Sequence, residues 1–430
     1  MIIERFSRIQ IILIYLLCFT VSACSKSSQL KQKQVAPMIS ITSPGATAVF
    51  TSPATITLTA DAKDTDGAII KVTFYDGTKL LGEDAVAPYT FTWQNVAAGT
   101  YAVNAKATDH TGIAAVSKTV NITVNTGLAD NRTAVEKYGQ LKITGVHVTT
   151  PDNQPVQLRG MSLFWSQWMG QFYNAQTVKW LKDDWRSTVV RAAMGVELGG
   201  YLTNPTEEKA KVMAVVDAAI AEGLYVIIDW HDHHAQNHLE QSKAFFVDMA
   251  IRYGDKPNVI YEIYNEPEGA DWNSQIKPYA NEVIQAIRAI DPDNIIVVGT
   301  PNWSQDVDVA ANNPLSYTNI AYALHYYAST HKQSLRNKAT VAIDKGLALF
   351  VTEFGISEAS GTGFLDETEA RTWWNFLDQN TISWLNWSVA DKNETSAALM
   401  PGASGTGNWP EASISRSGRM VRTELKNKNP

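Results

Sequence analysis

Two glutamates end two apolar, strand-like segments of this sequence. Glu266 closes residues 260–266 and precedes a proline, and Glu353 closes residues 349–353 and precedes Phe-Gly. Hydrolysis of an acetal needs one carboxyl group that donates a proton and a second, ionised carboxylate. Because the two glutamates end separate strands of what reads as one α/β domain, they predict a site that cleaves glycosidic bonds.

The segments around these glutamates alternate between strand-like and helix-like patterns. Residues 207–222 and 279–290 have helical periodicity. Eight apolar runs are predicted as strands, at residues 157–162, 188–194, 225–231, 259–266, 295–299, 320–325, 349–353 and 382–387. Eight such strand–helix units predict an α/β fold, the (β/α)8 TIM barrel. A hairpin of residues 141–148 and 156–158, which turns at residues 151–153, is expected to close its bottom.

Polar and aromatic residues follow the aliphatic parts of these strands. In a TIM barrel the carboxyl ends of the strands carry the active site. The residues at those ends are Arg191, His231, Asn265, Glu266, Trp303, His325, Tyr327, Glu353 and Trp387. We therefore expect these side chains on one rim of the barrel.

The first 24 residues have the pattern of an export signal. A positively charged start precedes the apolar residues 9–20 and the sequence Val-Ser-Ala-Cys. The apolar run is shorter than the about 20 residues of a membrane-spanning helix. The last four residues resemble a bacterial lipobox, which predicts lipidation of Cys24 and a membrane anchor in the cell envelope. The alternative is an ordinary secretory signal with an incidental cysteine. Residues 25–37 are polar, which predicts a flexible tether.

Residues 38–125 change to a period of two. Five alternating segments, at residues 54–60, 71–75, 89–93, 101–105 and 120–124, are separated by turn signals. This pattern predicts an all-β sandwich. Residues 64–69 and 72–75 resemble the signature of a bacterial immunoglobulin-like domain. Asp64 and Asp66 lack a full calcium-ligand series and are interpreted as a turn. We expect the domain to be a spacer, with sugar binding as the alternative.

The composition limits the partners of the chain. Its 430 residues suffice for a barrel and a smaller domain, with residues 126–136 as a linker and residues 137–428 as the barrel domain. The formal net charge of -7 gives no basic surface for nucleic acid. The 13 tryptophans offer flat apolar surfaces on which sugar rings can stack.

The motifs around the two glutamates resemble glycoside hydrolase family 5. They are Asn265-Glu266-Pro267, Thr352-Glu353-Phe354-Gly355, Arg191, Asp229-Trp230-His231 and His325-Tyr326-Tyr327. Residues 160–162, 180–185, 190–194 and 386–392 narrow the resemblance to the bacterial endoglucanases of subfamily 2. The resemblance covers residues 137–425. It implies a retaining mechanism, with two carboxyl groups about 5 Å apart.

The resemblance implies a role for each catalytic residue. Glu266 would be the general acid/base and Glu353 the nucleophile that forms a glycosyl-enzyme. We expect Arg191 to keep Glu353 ionised. Partial burial and the charge of Glu353 would keep Glu266 protonated. Asn265 would hydrogen-bond the sugar 2-hydroxyl.

Further residues would bind substrate by the same resemblance. Tyr327 would hydrogen-bond Glu353, and His231 and His325 would contact sugar hydroxyls or the acid/base. Phe164 stands where many relatives have a histidine, so a hydroxyl contact after the first strand is in doubt.

Aromatic platforms and a charged pair complete the implied site. Trp387 would stack under a sugar on the non-reducing side, Trp303 on the leaving-group side, and Trp168 at a further subsite. Lys392 and Glu394 match the family's hydroxyl-binding pair after the last strand.

A run of histidines resembles a set of metal ligands. His231, His233 and His234 precede His238, which is four residues beyond His234. The glutamate of the zincin pattern is absent between them. We therefore expect no metal and no cofactor, and we count only His231 as a site residue.

These observations predict an exported, monomeric, retaining endo-β-1,4-glucanase that acts on cellulose or soluble β-glucans. One alternative is a hydrolase of the same fold that cleaves mannan, xylan or mixed-linkage glucan. A second is a surface protein that binds polysaccharide without cleaving it. The intact pair of Glu266 and Glu353 argues against the second alternative.

Overall fold

The structure is a computed structural model that describes residues 34–126 and 132–429. The predicted signal peptide, the lipidation site Cys24 and most of the predicted tether lie outside the described residues. Two compact units divide the chain between residues 129 and 130. Within the described ranges, no helix combines the length and the apolar character that crossing a membrane requires.

The first unit is a β-sandwich, as the alternating pattern predicts. Its strands are β1 (Met38–Ser43), β2 (Val49–Thr51), β3 (Ala54–Lys63), β4 (Ile69–Asp76), β5 (Lys79–Asp84), β6 (Tyr89–Val96), β7 (Gly99–Asp109), β8 (Ala114–Val116) and β9 (Val120–Asn125). One sheet has the order β1-β3-β6 and the other β2-β9-β7-β4-β5, with β8 on β7. Inward residues such as Ile56 and Leu58 are buried, and Thr57 between them is exposed. The amide of Asp66 donates to Asp64 Oδ1 at 3.4 Å, the contact of a turn.

The second unit contains a closed barrel of eight parallel strands, which confirms the predicted fold class. The barrel strands are β12 (Arg159–Leu163), β13 (Val189–Gly195), β14 (Tyr225–His231), β15 (Val259–Glu262), β16 (Ile296–Val298), β17 (Ile320–Tyr327), β18 (Leu349–Gly355) and β19 (Trp384–Val389). They follow a hairpin of β10 (Lys142–Thr144) and β11 (His147–Thr149).

Helices lie between the strands. They are α1 (Ala134–Tyr138), α2 (Ala175–Asp183), α3 (Pro205–Glu222), α4 (Leu239–Tyr253), α5 (Lys277–Arg288), α6 (Pro301–Ser304), α7 (Val307–Ala310), α8 (Gln333–Asp344), α9 (Glu367–Gln379) and α10 (Arg416–Lys428). Helix α3 has proline in its first turn and ends at Gly223, whose φ of 67° is left-handed. These residues begin and end a helix at little conformational cost.

Some predicted boundaries were wrong. The strand predicted for residues 259–266 ends at Glu262, so Glu266 lies on the loop after β15. The predicted turn at residues 151–153 is present, with a bridge between Thr149 and Pro155, but β10 and β11 form a further tight turn at Gly145, whose φ is 60°. Glycine tolerates this conformation, which explains why the chain turns there.

Inward side chains fill the barrel in layers. The lower layer is apolar and packs against the hairpin residues Leu141 and Val148. Along each strand, alternate residues face the same side. The next inward position, two residues further along each strand, is therefore where polar side chains point into the barrel.

Gly160 must be glycine, because a Cβ would lie 1.7 Å from the carbonyl oxygen of Val189.

Strand β18 contains a β-bulge at the level of the polar layer. Ala323 pairs with Phe350, but His325 pairs with Glu353, so one extra residue lies in β18. A bulge re-aims the side chains that follow it. As a result, the consecutive residues Thr352 and Glu353 both contact the interior polar groups, as described below.

Candidate active site

The two predicted catalytic glutamates lie close together at the carboxyl end of the barrel. A carboxylate oxygen of Glu266, one of Glu353 and a ring nitrogen of His325 all lie within 4.8 Å of one another. Retaining glycosidases have carboxyl groups about 5–5.5 Å apart, and inverting enzymes about 6.5–9.5 Å. The separation leaves no room for a water molecule between one carboxylate and a sugar, which fits the retaining geometry.

Glu353 is held by two donors. Tyr327 donates its hydroxyl proton to Oε1 at 2.7 Å, and Arg191 donates to Oε2 at 3.2 Å. Only 4% of Glu353 is exposed. Both contacts were predicted, and together they fix the carboxylate at the floor of the cleft.

Arg191 serves more than one carboxylate. Its Nε donates to Glu262 at 2.7 Å, and its Nη2 lies 2.9 Å from Asp229. Burial lowers the pKa of Arg191, but Asp229, Glu262 and Glu353 outweigh burial and raise it. The guanidinium is therefore charged and is shared among three carboxylates.

Glu266 lies between two histidines. Oε1 is 2.9 Å from His325 Nδ1, and Oε2 is 3.5 Å from His233 Nε2. Burial raises the pKa of Glu266, but hydrogen bonds with His233 and His325 outweigh burial and lower it to about 2. For His325 the signs reverse: burial lowers its pKa, but Glu262 and Glu266 raise it to about 9. In the open site, the proton shared by His325 and Glu266 therefore lies on the histidine.

The lowered pKa of Glu266 differs from the expected resting state, in which Glu266 is protonated and Glu353 ionised. Burial raises the pKa of Glu353, and the negative charge of Glu266 raises it further, against His325 and Arg191. The expectation for Glu266 did not include His233, which approaches it from a separate loop. Arg191 contacts Asp229 and Glu262 as well as Glu353.

Asn265 is oriented for a ligand. Its Oδ1 accepts a hydrogen bond from Arg191 Nη2 at 2.6 Å, which turns the amide group. Its Nδ2 is buried and has no hydrogen-bond partner among the described residues. A buried donor without a partner is costly, and a sugar hydroxyl in the cleft would satisfy it.

His231 and Trp387 form a buried stack beside the acid pair. Their rings are 5.1 Å apart and 5° from parallel. His231 Nδ1 lies 2.7 Å from Asp229, and burial lowers the pKa of His231 well below its ordinary value. The Phe164 ring also packs against Trp387, with centroids 5.1 Å apart and 41° between the ring planes. Histidine and tryptophan thus form a neutral, flat stack next to Arg191, whose guanidinium lies 6.0 Å from the Trp387 ring.

Trp303 borders a cavity on the acid/base side. The cavity has a volume of about 500 Å³ and is lined by Glu266, Trp303, His325, Tyr327 and His331, among others. Trp303 is 41% exposed, and it lies in a left-handed stretch with a φ of 55°. The Trp303 amide donates to the Pro267 carbonyl at 3.1 Å, which ties this platform to the loop of the acid/base.

The other predicted binding residues lie along the rim. Trp168 is 49% exposed, and its ring lies 5.0 Å from that of Trp165. Lys392 forms an ion pair with Glu394, and its Nζ lies 4.3 Å above the Phe164 ring. Phe164, which stands where many relatives have a histidine, thus contacts the predicted hydroxyl-binding pair.

Sequence reasoning missed several residues of the site. His233 lies beside Glu266, although it belongs to the histidine run that we set aside as metal-like. Glu262 and Thr352 are fully buried and contact the catalytic groups. Each lies two residues beyond an apolar residue that faces the barrel interior, Ile260 and Phe350. This spacing was the available signal that Glu262 and Thr352 also face inward.

One group outside the acid pair has the spacing of metal ligands. Oxygens of Glu197 and Asp232 and a nitrogen of His238 lie within 4.8 Å of one another. Both Asp232 oxygens already accept protein hydrogen bonds, from Trp230, His234 and His238. These residues could hold a cation only if Asp232 exchanged those contacts, so the group carries no assignment.

Comparison with known proteins identifies the family. The model described as Cellulase (glycosyl hydrolase family 5) matches residues 149–393, and a bacterial Ig domain matches residues 37–105. The chain belongs to glycosyl hydrolase family 5.

Three relatives give the scale of the similarity. An endoglucanase from Clostridium saccharobutylicum is 50% identical over 68% of this chain and 66% of that protein. A solved structure from Cytophaga hutchinsonii is 56% identical, covers 69% of this chain and 98% of its own, and has a TM-score of 0.69. The catalytic domain of a Thermobifida fusca endoglucanase is 37% identical, covers 69% and 100%, and has a TM-score of 0.66. The chain spans 66%, 63% and 58% of the length of three curated endoglucanases that it matches.

Proposed function

We propose that the protein is a retaining endo-β-1,4-glucanase that cleaves internal bonds of cellulose or soluble β-glucans. The observation that carries the proposal is the close approach of Glu266 and Glu353, with Glu266 lining a cavity that Trp303 borders. Curated relatives named endoglucanase support the substrate class. A variant of the Thermobifida fusca domain has been solved with cellotetraose, which favours a β-1,4-glucan.

The first step forms a glycosyl-enzyme. A bound glucan covers the cleft, and the loss of water disfavours the charged pair of His325 and Glu266 relative to the neutral pair. The shared proton moves to Glu266, which protonates the leaving oxygen. A Glu353 oxygen bonds to the anomeric carbon as the bond between that carbon and the leaving oxygen breaks. Tyr327 and Arg191 hold Glu353 in line for the attack.

The second step releases the sugar. Glu266, now a carboxylate, accepts a proton from water, and the water oxygen bonds to the anomeric carbon as the bond to Glu353 breaks. Two inversions give net retention. Asn265 Nδ2 donates to the sugar 2-hydroxyl in both steps, and Trp387 and Trp303 support sugars on the two sides of the scissile bond.

A substrate panel tests the proposal. Carboxymethylcellulose, barley β-glucan, mannan and xylan are compared by release of reducing ends, and ¹H NMR follows the first anomer formed from cellotetraose. We expect cleavage of β-1,4-glucans and an initial β-anomer. Preference for mannan or xylan would support the alternative hydrolase. Binding without any turnover would support the non-catalytic alternative, and an initial α-anomer would refute the retaining mechanism.

We also propose that the protein is exported and is anchored to a membrane by a lipid on Cys24. We propose further that it is a monomer. The signal-like sequence of residues 1–24 supports export, and the lipobox pattern supports the anchor. Labelling of cells with a fatty-acid analogue tests this, with Cys24→Ser as the matched control. A labelled Cys24→Ser protein, or an unlabelled wild-type protein, would contradict the anchor.

A further inference from the structure

Hydrogen bonds link the buried charge cluster to the acid/base in one chain. The Thr352 hydroxyl lies 2.6 Å from Glu262 Oε1 and 2.8 Å from His325 Nε2. His325 Nδ1 lies 2.9 Å from Glu266 Oε1. Glu262 and Thr352 are fully buried, and His325 is 1% exposed. Bulk water therefore cannot replace either contact of the Thr352 hydroxyl.

The direction of each hydrogen bond follows from the protons available. A threonine hydroxyl has one proton to donate. Burial raises the pKa of Glu262, but Arg191 and His325 outweigh burial and lower it. Glu262 is therefore an ionised acceptor, and Thr352 donates to it. The Thr352 oxygen then accepts a hydrogen bond from the Nε2–H of His325.

This arrangement fixes how His325 meets Glu266. With Nε2 protonated, a neutral imidazole has a bare Nδ1, which can only accept a proton from Glu266 Oε1. A charged imidazole instead donates its Nδ1–H to the Glu266 carboxylate. The two forms contain the same number of protons and differ only in the position of one. In both of them, the bond between Nδ1 and Oε1 holds one transferable proton.

We propose that Thr352 is a positioning residue that keeps this proton in the link between His325 and Glu266. Its hydroxyl excludes the other neutral tautomer of His325, which has a proton on Nδ1 and none on Nε2. In that tautomer, Nε2 would face the Thr352 oxygen, whose only proton is donated to Glu262. That tautomer beside an ionised Glu266 is the proton-deficient form of the acid. The inference rests on the proposed hydrolase function. It concerns the pH up to which the pair of His325 and Glu266 keeps the proton that the leaving group needs.

Other charged and titratable groups also face His325 and Glu266. They are Arg191, Asp229, His231, His233, Glu262, Tyr327, His331 and Glu353. Of these, only Glu262 hydrogen-bonds the Thr352 hydroxyl. A change at Thr352 therefore tests the tautomer of His325 with the remaining groups in place.

The first experiment compares Thr352→Val, which removes the hydroxyl at nearly equal shape, with Thr352→Ser, which keeps it. The measurement is kcat/KM for cellotetraose between pH 4 and 10. Because valine admits the proton-deficient tautomer, we expect the alkaline limb to move down by about one pH unit. We expect the serine variant to keep the wild-type limb. An unshifted limb in Thr352→Val would overturn the inference.

A second substrate separates proton supply from general damage. Dinitrophenyl cellobioside has a leaving group that departs without a proton. At pH 10, above both limbs, we expect Thr352→Val to lose about tenfold in kcat/KM on cellotetraose and less than about twofold on the aryl substrate. Equal losses on both would mean a structural role only. Failure of the wild-type protein to cleave either substrate would refute the proposed function itself.

Nitrogen NMR tests the tautomer without any turnover. The chain has 8 histidines, and His325→Gln assigns the His325 signals in ¹⁵N-histidine-labelled protein. We expect a proton on Nε2 of the wild-type residue both below and above the alkaline limb. A neutral His325 with its proton on Nδ1 would overturn the inference, even if the valine variant did not fold.

Discussion

Two successive layers inside the barrel are equally buried and chemically opposite. The lower layer contains Val189, Ile227, Ile260, Ala323, Phe350 and Leu385. Two residues further along the same strands are Arg191, Asp229, Glu262, His325, Thr352 and Trp387. All twelve side chains belong to residues that are at most 5% exposed. Burial alone therefore does not distinguish the two layers.

The difference lies in how each layer is stabilised. Apolar side chains gain about 25 cal/mol for each Å² removed from water, whatever their exact partners. Buried charges are tolerated only with partners, so Arg191 contacts three carboxylates and Thr352 bridges Glu262 and His325. One inward step along a strand thus separates residues that support the fold from residues that support the reaction.

The largest expected effect comes from the nucleophile beside the upper layer. Glu353→Ala should reduce kcat on carboxymethylcellulose by about 10⁴-fold, because no glycosyl-enzyme can form. Its melting temperature should stay close to that of the wild-type protein, since the change removes one of three carboxylates that share Arg191. Near-normal turnover, measured by reducing ends, would refute the assignment of the nucleophile.

Loss of the central cation should affect both properties. Arg191→Met leaves Asp229, Glu262 and Glu353 buried without their common partner. Breaking such a buried pair costs about 3–5 kcal/mol of unfolding free energy. We also expect activity to fall, because Glu353 and Asn265 lose a donor. Urea unfolding and kcat are measured together, and a loss of only one of them would contradict the shared role.

A change in the lower layer should affect stability alone. Phe350→Ala opens a cavity two residues from Thr352 and costs about 3–5 kcal/mol of unfolding free energy. Below the unfolding transition, kcat for each folded molecule should stay within about twofold of the wild-type value. Urea unfolding gives the first quantity and initial rates the second. If kcat fell as far as for Arg191→Met, the separation of the layers would be wrong.

The smallest effect is the pH dependence of the unchanged protein. His325 has a pKa raised to about 9, so its shared proton is retained below that pH and lost as pH rises through it. Activity should decline there. Glu353 must be ionised to attack, and its pKa is raised above the ordinary 4.5, so activity should fall with acidification before pH 4.5 is reached. A kcat/KM profile with both limbs outside this range would contradict the assignments.

Much of the fold could be predicted from the sequence, because the eight barrel strands have apolar runs long enough to stand out. Glu266 and Glu353 could be placed because they interrupt such runs at their ends. The spacing of Glu262 and Thr352 from Ile260 and Phe350 indicates that they face inward, but their contacts could not be predicted, since one polar residue within a strand gives no sign of its partner. The pKa directions also escaped prediction, because His233 and Arg191 reach the glutamates across loops and strands that only the fold brings together.

The extra residue in β18 limits how this cleft could be redesigned. Phe350 and Thr352 keep the inward alternation, and Glu353 reaches Arg191 and Tyr327 only because the pairing with β17 slips by one. A transplant of the catalytic strand into another barrel would have to carry Thr352, Glu353 and the slipped register together. Regular pairing of the same sequence, with Thr352 opposite His325, would turn Glu353 to the helix-facing side and leave the scaffold with its acid but without its nucleophile.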